Sequence, residues 1–313
     1  MNGSSQDKKR TDIENRFAIR LSLIFGLLML VGKSWAYLAT DSVAIFSDAA
    51  ESVLHVVAVG FAAFSLWLST RPASRQFGYG YERISFFSAG FEGALIILAA
   101  VAIIATAMER LRADAVIENL GLGTGIIAAA GLVNAALGWF LIARGRRNNS
   151  LILEANGKHV LADSWTSFGV FGGLVLVMLT GWKLLDPIFA IAVAAHILWS
   201  GAKLVWRSVG GLMDYADPEV GRALKKALDH LRGEFNIGYH GVRFRNTGYR
   251  LQIELHLLFP FDTPLGEAHS IATRVEKRLQ AELGQPSEVV THLESQEDHG
   301  TIHQSGHQSR LPM

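Results

Sequence analysis

The chain has no cysteine among its 313 residues, so disulfides, thiolate metal sites and thiol nucleophiles are excluded and histidine and carboxylate must carry any metal chemistry. Charge is scarce as well. Only 18% of residues are Asp, Glu, Lys or Arg against 50% hydrophobic, too apolar for an ordinary soluble domain. The scarcity is uneven: charges are sparse before Lys203 and dense after Asp214, which marks a membrane domain followed by a soluble one. No H-E-x-x-H occurs. Gly78 and Gly80 make no nucleotide fingerprint, because no strand precedes them and no phosphate-gripping lysine follows in Walker A spacing, so ATP drive is unsupported. The polar start M-N-G-S-S-Q-D-K-K-R runs into a full-length apolar span rather than a short cleavable segment. Residues 1–16 are expected to form a cytosolic tail.

Six apolar runs are present, at roughly 17–39, 43–68, 84–107, 120–143, 159–179 and 187–205, each close to the ~20 residues a helix needs to cross hydrocarbon. Residues 17–213 therefore read as a six-helix membrane domain. Basic residues sort the connections. Lys8, Lys9, Arg10 and Arg16 precede the first run, Arg71, Arg75 and Arg83 follow the second, Arg144, Arg146 and Arg147 follow the fourth, and Lys203 and Arg207 close the sixth. The opposite side has only Thr40-Asp41, the mixed stretch from Glu109 to Asn119, and the Gly181 to Asp186 turn with Lys183. The bias places both termini in the cytoplasm.

Beyond Tyr215 the periodicity changes. Asp217 and Pro218 open a helix with Val220, Leu224, Leu228 and Leu231 as its apolar stripe, expected to end at Gly233. Two alternating segments, H-G-V-R-F-R and Y-R-L-Q-I-E-L-H-L, flank a turn at Asn246, Thr247 and Gly248. A second amphipathic helix from about Pro264 to Leu283 and a strand from Glu288 to Leu293 complete an αββαβ order, with both helices on one face of a three-stranded sheet. This ferredoxin-like, metallochaperone-like α+β domain spans residues 214–294. The remainder, 295–313, is a polar tail with His299, His303 and His307, too apolar-poor to fold.

The chemistry begins in the second run, where Asp48, Glu51 and His55 fall at i, i+3 and i+7 on one helical stripe. The fifth run repeats the spacing with Asn156, His159 and Asp163. Packed together, the two helices present Glu51, His55, His159 and Asp163 to one centre. Two imidazoles and two carboxylates suit tetrahedral Zn2+, and two negative charges balance the ion, although Fe2+, Co2+ and Mn2+ accept the same donors. Asp48 and Asn156 are expected to support the ligands by hydrogen bonds. Ionisable groups inside a membrane span are costly, which favours a metal site over packing histidines. Glu92 is a further intramembrane carboxylate, either a proton relay or a partner for Lys33. Asp186 is as well suited to a helix cap as to a functional role, and His196 reads as a packing residue.

These residues carry a resemblance. Six spans, S-V-A-I-F-S-D-A-A-E before the first ligand pair, F-G-Y-G-Y-E-R after the second span, H-V-L-A-D at His159 to Asp163, L-D-P opening the sixth, and the αββαβ tail are similar to the cation diffusion facilitator family of proton-coupled divalent-metal exporters. The likeness covers about Phe17 to Glu294. It implies a homodimeric secondary transporter in a bacterial inner membrane that exports a divalent metal, foremost Zn2+, against protons by alternating access. It implies no enzyme activity, organic cofactor, ATP or nucleic acid, with membrane lipid as surroundings. Family members usually carry Asp or His and then Asp in the second-span pair, whereas this chain has Glu51 and His55. Where relatives read H-x-F-G-H-G-K, this chain has R-Q-F-G-Y-G-Y, so no metal is expected there and Arg75, Tyr81 and Glu82 are expected to hold the loop. His240, His256, His269, His292 and Glu294 match the family's cytoplasmic metal positions, with Zn2+ as a possible regulatory ligand. Without the resemblance, an intramembrane metalloenzyme or a membrane-bound metal sensor remain competing classes.

Overall fold

The structure is a computed structural model that describes residues 2–40, 43–112, 122–182 and 184–297. The expected connection at Asp41, the acidic residues Asp114 and Glu118, Lys183, and the tail histidines His299, His303 and His307 lie outside the described residues. Six long helices come first: α1 (Asn2–Thr40), α2 (Val43–Ser69), α3 (Ile84–Arg112), α4 (Leu122–Arg147), α5 (Leu151–Thr180) and α6 (Leu185–Leu212). Windows in four of them, Arg10–Gly32, Ser52–Ser69, Ile84–Glu109 and Pro187–Leu212, are long and apolar enough to cross a membrane. Stretches of α4 and α5 fall among residues whose side chains are outside the description.

The helices run past the apolar runs read from the sequence, and two of these differences bear on the site. Residues 2–16, expected as a tail, continue α1 as helix, and Glu14 and Asn15 tie that segment to α4. Arg144 donates to Glu14 at 2.9 Å and Asn148 to Asn15 at 2.7 Å. The fifth helix begins at Leu151 rather than near His159, because its polar first turns find partners instead of water. Glu154, on those turns, meets Arg207 of α6 at 2.7 Å and Lys158 at 3.0 Å. His159 therefore sits inside a formed helix, one turn before Asp163.

A buried cluster of Ala18 and Ile19 from α1, Val59, Ala62 and Leu66 from α2, Leu137 and Leu141 from α4, and Ile152, Leu153 and Val160 from α5 joins these four helices. The approach of α4 to α5 depends on glycine. A Cβ on Gly157 would stand 2.9 Å from the Gly138 carbonyl oxygen and 2.8 Å from the Ile142 nitrogen, so no side chain fits between the backbones. That contact fixes α5 two residues before His159.

The second unit has its own core. Helix α7 (Pro218–Phe235) starts as expected, with Asp217 accepting from the Glu219 amide at 2.8 Å and Pro218 in the first turn. It runs two residues past Gly233, because Asn236 rather than Gly233 takes the left-handed conformation that ends it, at φ 50°. Strands β1 (Gly238–Asn246), β2 (Leu251–Phe259) and β3 (Ser287–Ser295) and helix α8 (Leu265–Leu283) complete the αββαβ order. The sheet order is β1-β2-β3, antiparallel then parallel. Leu251, Ile253, Leu255 and Leu257 alternate along β2 and pack with Leu224, Leu228 and Leu231 of α7 and Ala272, Val275 and Leu279 of α8. Each such leucine contributes about 1.5–3 kcal/mol when fully buried. The intervening positions, His256 among them, face the other side of the sheet.

Candidate metal centres

In the membrane unit, His55 of α2 and His159 and Asp163 of α5 meet. A ligand atom from each lies within 4.8 Å of the others. His55 Nδ1 is 3.3 Å from Asp163 Oδ2, and the two imidazoles stack with centroids 5.3 Å apart and planes inclined by 27°. His159 is buried, while His55 and Asp163 are partly so. Helical spacing accounts for the arrangement: residues four apart on α5 share a face, and that face is turned to α2. Glu51 lies on α2 one turn before His55, and Asp48 lies on the same helix; their side chains are outside the described residues.

Asn156 does not touch His55, His159 or Asp163 by hydrogen bond. Its Nδ2 donates to Glu92 Oε1 at 3.2 Å, and its Oδ1 accepts from Ser22 Oγ at 2.9 Å. Glu92, on α3, is fully buried with Oε2 3.4 Å from His159 Nδ1. Lys33, the partner expected for Glu92 if it is not a proton relay, has a side chain outside the described residues. The Glu92 and His159 juxtaposition was not foreseen, since nothing in the local periodicity of α3 relates it to α5. His196 packs edge-on against Trp165 at 5.6 Å.

The loop after α2 is held by Tyr81, whose hydroxyl pairs with Ser74 at 3.1 Å and whose ring packs on Phe77 at 5.0 Å. Arg75, expected to share that role, is exposed, whereas Glu82 is buried at the start of α3.

In the second unit, sheet register builds a different cluster. His240 stands opposite His256, and His256 opposite His292, so three imidazoles form one row across β1, β2 and β3. Glu294, two residues beyond His292 on the same face, reaches back to the row. Its carboxylate lies 2.7 Å from His240 Nε2 and 2.6 Å from His256 Nδ1, with His292 Nε2 at 3.7 Å. Burial alone would raise the Glu294 carboxyl, but the hydrogen bonds and charge of His240 and His256 outweigh it and bring it down to about 2. His240, His256 and Glu294 offer ligand atoms within 4.8 Å of one another, a donor set suited to zinc-like ions.

His269 is not brought to this row. It is exposed on α8, and α8 packs on the opposite face of the sheet, so one protomer cannot bring it to Glu294. His230, unassigned in the sequence reading, pairs with Glu282 at 2.9 Å and links α7 to α8.

Six long helices, four of them with windows apolar enough to cross a membrane, carry an ionisable cluster between α2 and α5 and are followed by a helix-and-sheet domain, the architecture of a multi-pass membrane protein. The family model described as the cation efflux transmembrane domain matches residues 19–213, and that described as the cation efflux protein, cytoplasmic domain, matches residues 217–296. The chain belongs to the cation diffusion facilitator family, whose members transport divalent metal cations. It is similar to an uncharacterized transporter of Synechocystis sp., at 32% identity over 89% of each chain. It is also similar to the cadmium, cobalt and zinc/H(+)-K(+) antiporter of Bacillus subtilis, at 24% identity over 85% of this chain and 86% of the relative. The cation-efflux pump FieF of Shewanella oneidensis is 26% identical over 88% of this chain and 93% of its own length.

Proposed function

We propose that the protein exports a divalent transition metal, zinc foremost, in exchange for protons, as a homodimer in a bacterial inner membrane with both termini in the cytoplasm. The observation that carries this reading is the meeting of His55, His159 and Asp163 between two membrane helices, with Glu51 one turn away on α2 to complete two nitrogens and two oxygens. Metal needs neutral imidazole and ionised carboxylate, so protons entering from the far side compete the ion off and cytosolic metal displaces them in turn. Alternating access exposes the site to one side at a time. The basic residues after α2, in the last turn of α4 and in the second half of α6 support the orientation. A four-donor site leaves no open position for hydrolysis, which argues against a metalloenzyme.

The His240, His256 and Glu294 cluster is the proposed regulatory site, with His292 beside it. In a homodimer, His269 reaches such an ion only from the second copy. Reconstituted vesicles with an imposed pH gradient test the main reading across Zn2+, Fe2+, Mn2+, Co2+ and Cd2+. Metal movement coupled to proton movement, largest for Zn2+, is expected. Binding of all five ions with no flux would instead make the protein a membrane metal sensor.

A further inference from the structure

Glu92 has no place in the four-donor site, yet it is fully buried on α3, and a carboxylate inside a membrane span is costly unless something holds it. One side of the carboxylate is accounted for. Ser22 of α1 donates to Oδ1 of Asn156, which turns the Asn156 amide so that Nδ2 donates to Glu92 Oε1. Oε2 is then left facing His159 Nδ1 at 3.4 Å, and these two buried atoms have no hydrogen-bond partner in this arrangement. Their separation is already within hydrogen-bond reach, so only the angle keeps them from pairing. Glu92 itself lies outside the group of ligand atoms formed by His55, His159 and Asp163.

A neutral imidazole carries its proton on one nitrogen, and the partner of that nitrogen decides which one it is. A carboxylate at Nδ1 draws the proton there and leaves the Nε2 lone pair for a metal; with the proton on Nε2, that nitrogen cannot ligate. We infer that Glu92 is a positioning residue of the transport site: acting from α3 through Nδ1 of His159, it selects the tautomer and ring direction that let His159 bind metal. Ser22 and Asn156 set its orientation, so three helices besides α2 contribute to one ligand. The inference rests on the reading of His159 as a ligand given under Proposed function.

The probe is Co2+, titrated into the detergent-purified full-length protein and followed by its visible absorption. The signal is read as the difference from Asp163→Ala, which removes the transport site and leaves the cytosolic histidines. Glu92→Gln keeps the size of the side chain and should weaken Co2+ binding ten- to hundredfold, the range typical for loss of such an outer partner. The band shape of the bound ion should stay unchanged, and Glu92→Asp should restore part of the affinity. A Kd within twofold of the parent in Glu92→Gln overturns the inference. So does an altered band shape, which would make Glu92 a ligand itself. If Glu92→Gln does not elute as folded protein, Ser22→Ala takes its place: releasing the Asn156 amide should weaken binding severalfold, and an unchanged Kd overturns the inference. A parent without an Asp163-dependent signal sinks the transport-site reading and this inference together, whereas a normal parent signal with unmoved variants sinks the inference alone.

Discussion

The cluster between α2 and α5 and the cluster on the sheet use the same side-chain types in opposite ways. Between α2 and α5, His159 and Asp163 stand one turn apart on one helix and His55 comes from the other. On the sheet, donors stand side by side, one per strand, because register places His240, His256 and His292 in a row. A helix pair can slide or tilt and so open its site to either side, whereas a hydrogen-bonded row cannot change its spacing without breaking the ladder. The first geometry suits a site that must release its ion and the second suits one that keeps it.

The largest effect expected from breaking this contrast is at Asp163. Asp163→Ala removes a charge from a low-dielectric site, so flux in vesicles should be abolished, while metal binding by residues 214–297 should not change. Near-normal flux would rule out the helix-built site.

Next in size is His55→Asp, which would turn the proposed set of two nitrogens and two oxygens into one and three. Initial rates against a fixed pH gradient should shift in favour of oxygen-preferring Mn2+ over Zn2+. An unchanged order of metals at equal insertion would remove His55 from the ligands.

A smaller effect on transport is expected from the sheet. His256→Ala with His292→Ala should weaken calorimetric metal binding by the domain from residue 214 to 297, yet leave most of the flux of the full protein. If flux fell as far as in Asp163→Ala, the sheet cluster would belong to the transport path after all.

The smallest effect concerns proton linkage in the metal-free domain. Glu294 ionises at about 2 in the folded domain against an ordinary value of 4.5. The folded form thus binds its proton less tightly than the unfolded form, and the stability this contributes is present above pH 4.5 and is lost as pH falls toward 2. Thermal melts of the chelated domain should show Glu294→Gln less stable than the parent at pH 6, with the gap closing between pH 4.5 and 2. A gap that stays constant over that range would mean Glu294 has no special bond to His240 and His256.

Sequence reading reached the two elements of the site that follow from local period. His159 and Asp163 share a helical face because they are four apart, and His256 alternates with Leu255 and Leu257 because strand side chains alternate. It missed Glu92 as a neighbour of His159, because the link runs between α3 and α5 through a contact 67 residues apart in the chain. It placed His269 with His240 and Glu294, across a dimer interface if need be, and within one protomer α8 keeps it off their face of the sheet. Similarity of position along the chain says nothing about which face of the sheet α8 covers.

What the sequence determined by itself was the set of elements: six apolar segments, the four-residue ligand spacing, the Asp217 cap and the alternation that makes β2 a two-faced strand. Those depend on hydrogen bonds and burial within a few residues, which the local pattern of side chains encodes. Tertiary structure alone decided which stripes face each other. It turned His55 toward Asp163, set Asn156 on Glu92 rather than on a metal ligand, and ranged His240, His256 and Glu294 on the sheet face away from α8. The physical reason is that packing, through contacts such as Gly157 against Gly138, fixes the rotation of one element against another, and no period within either element specifies it.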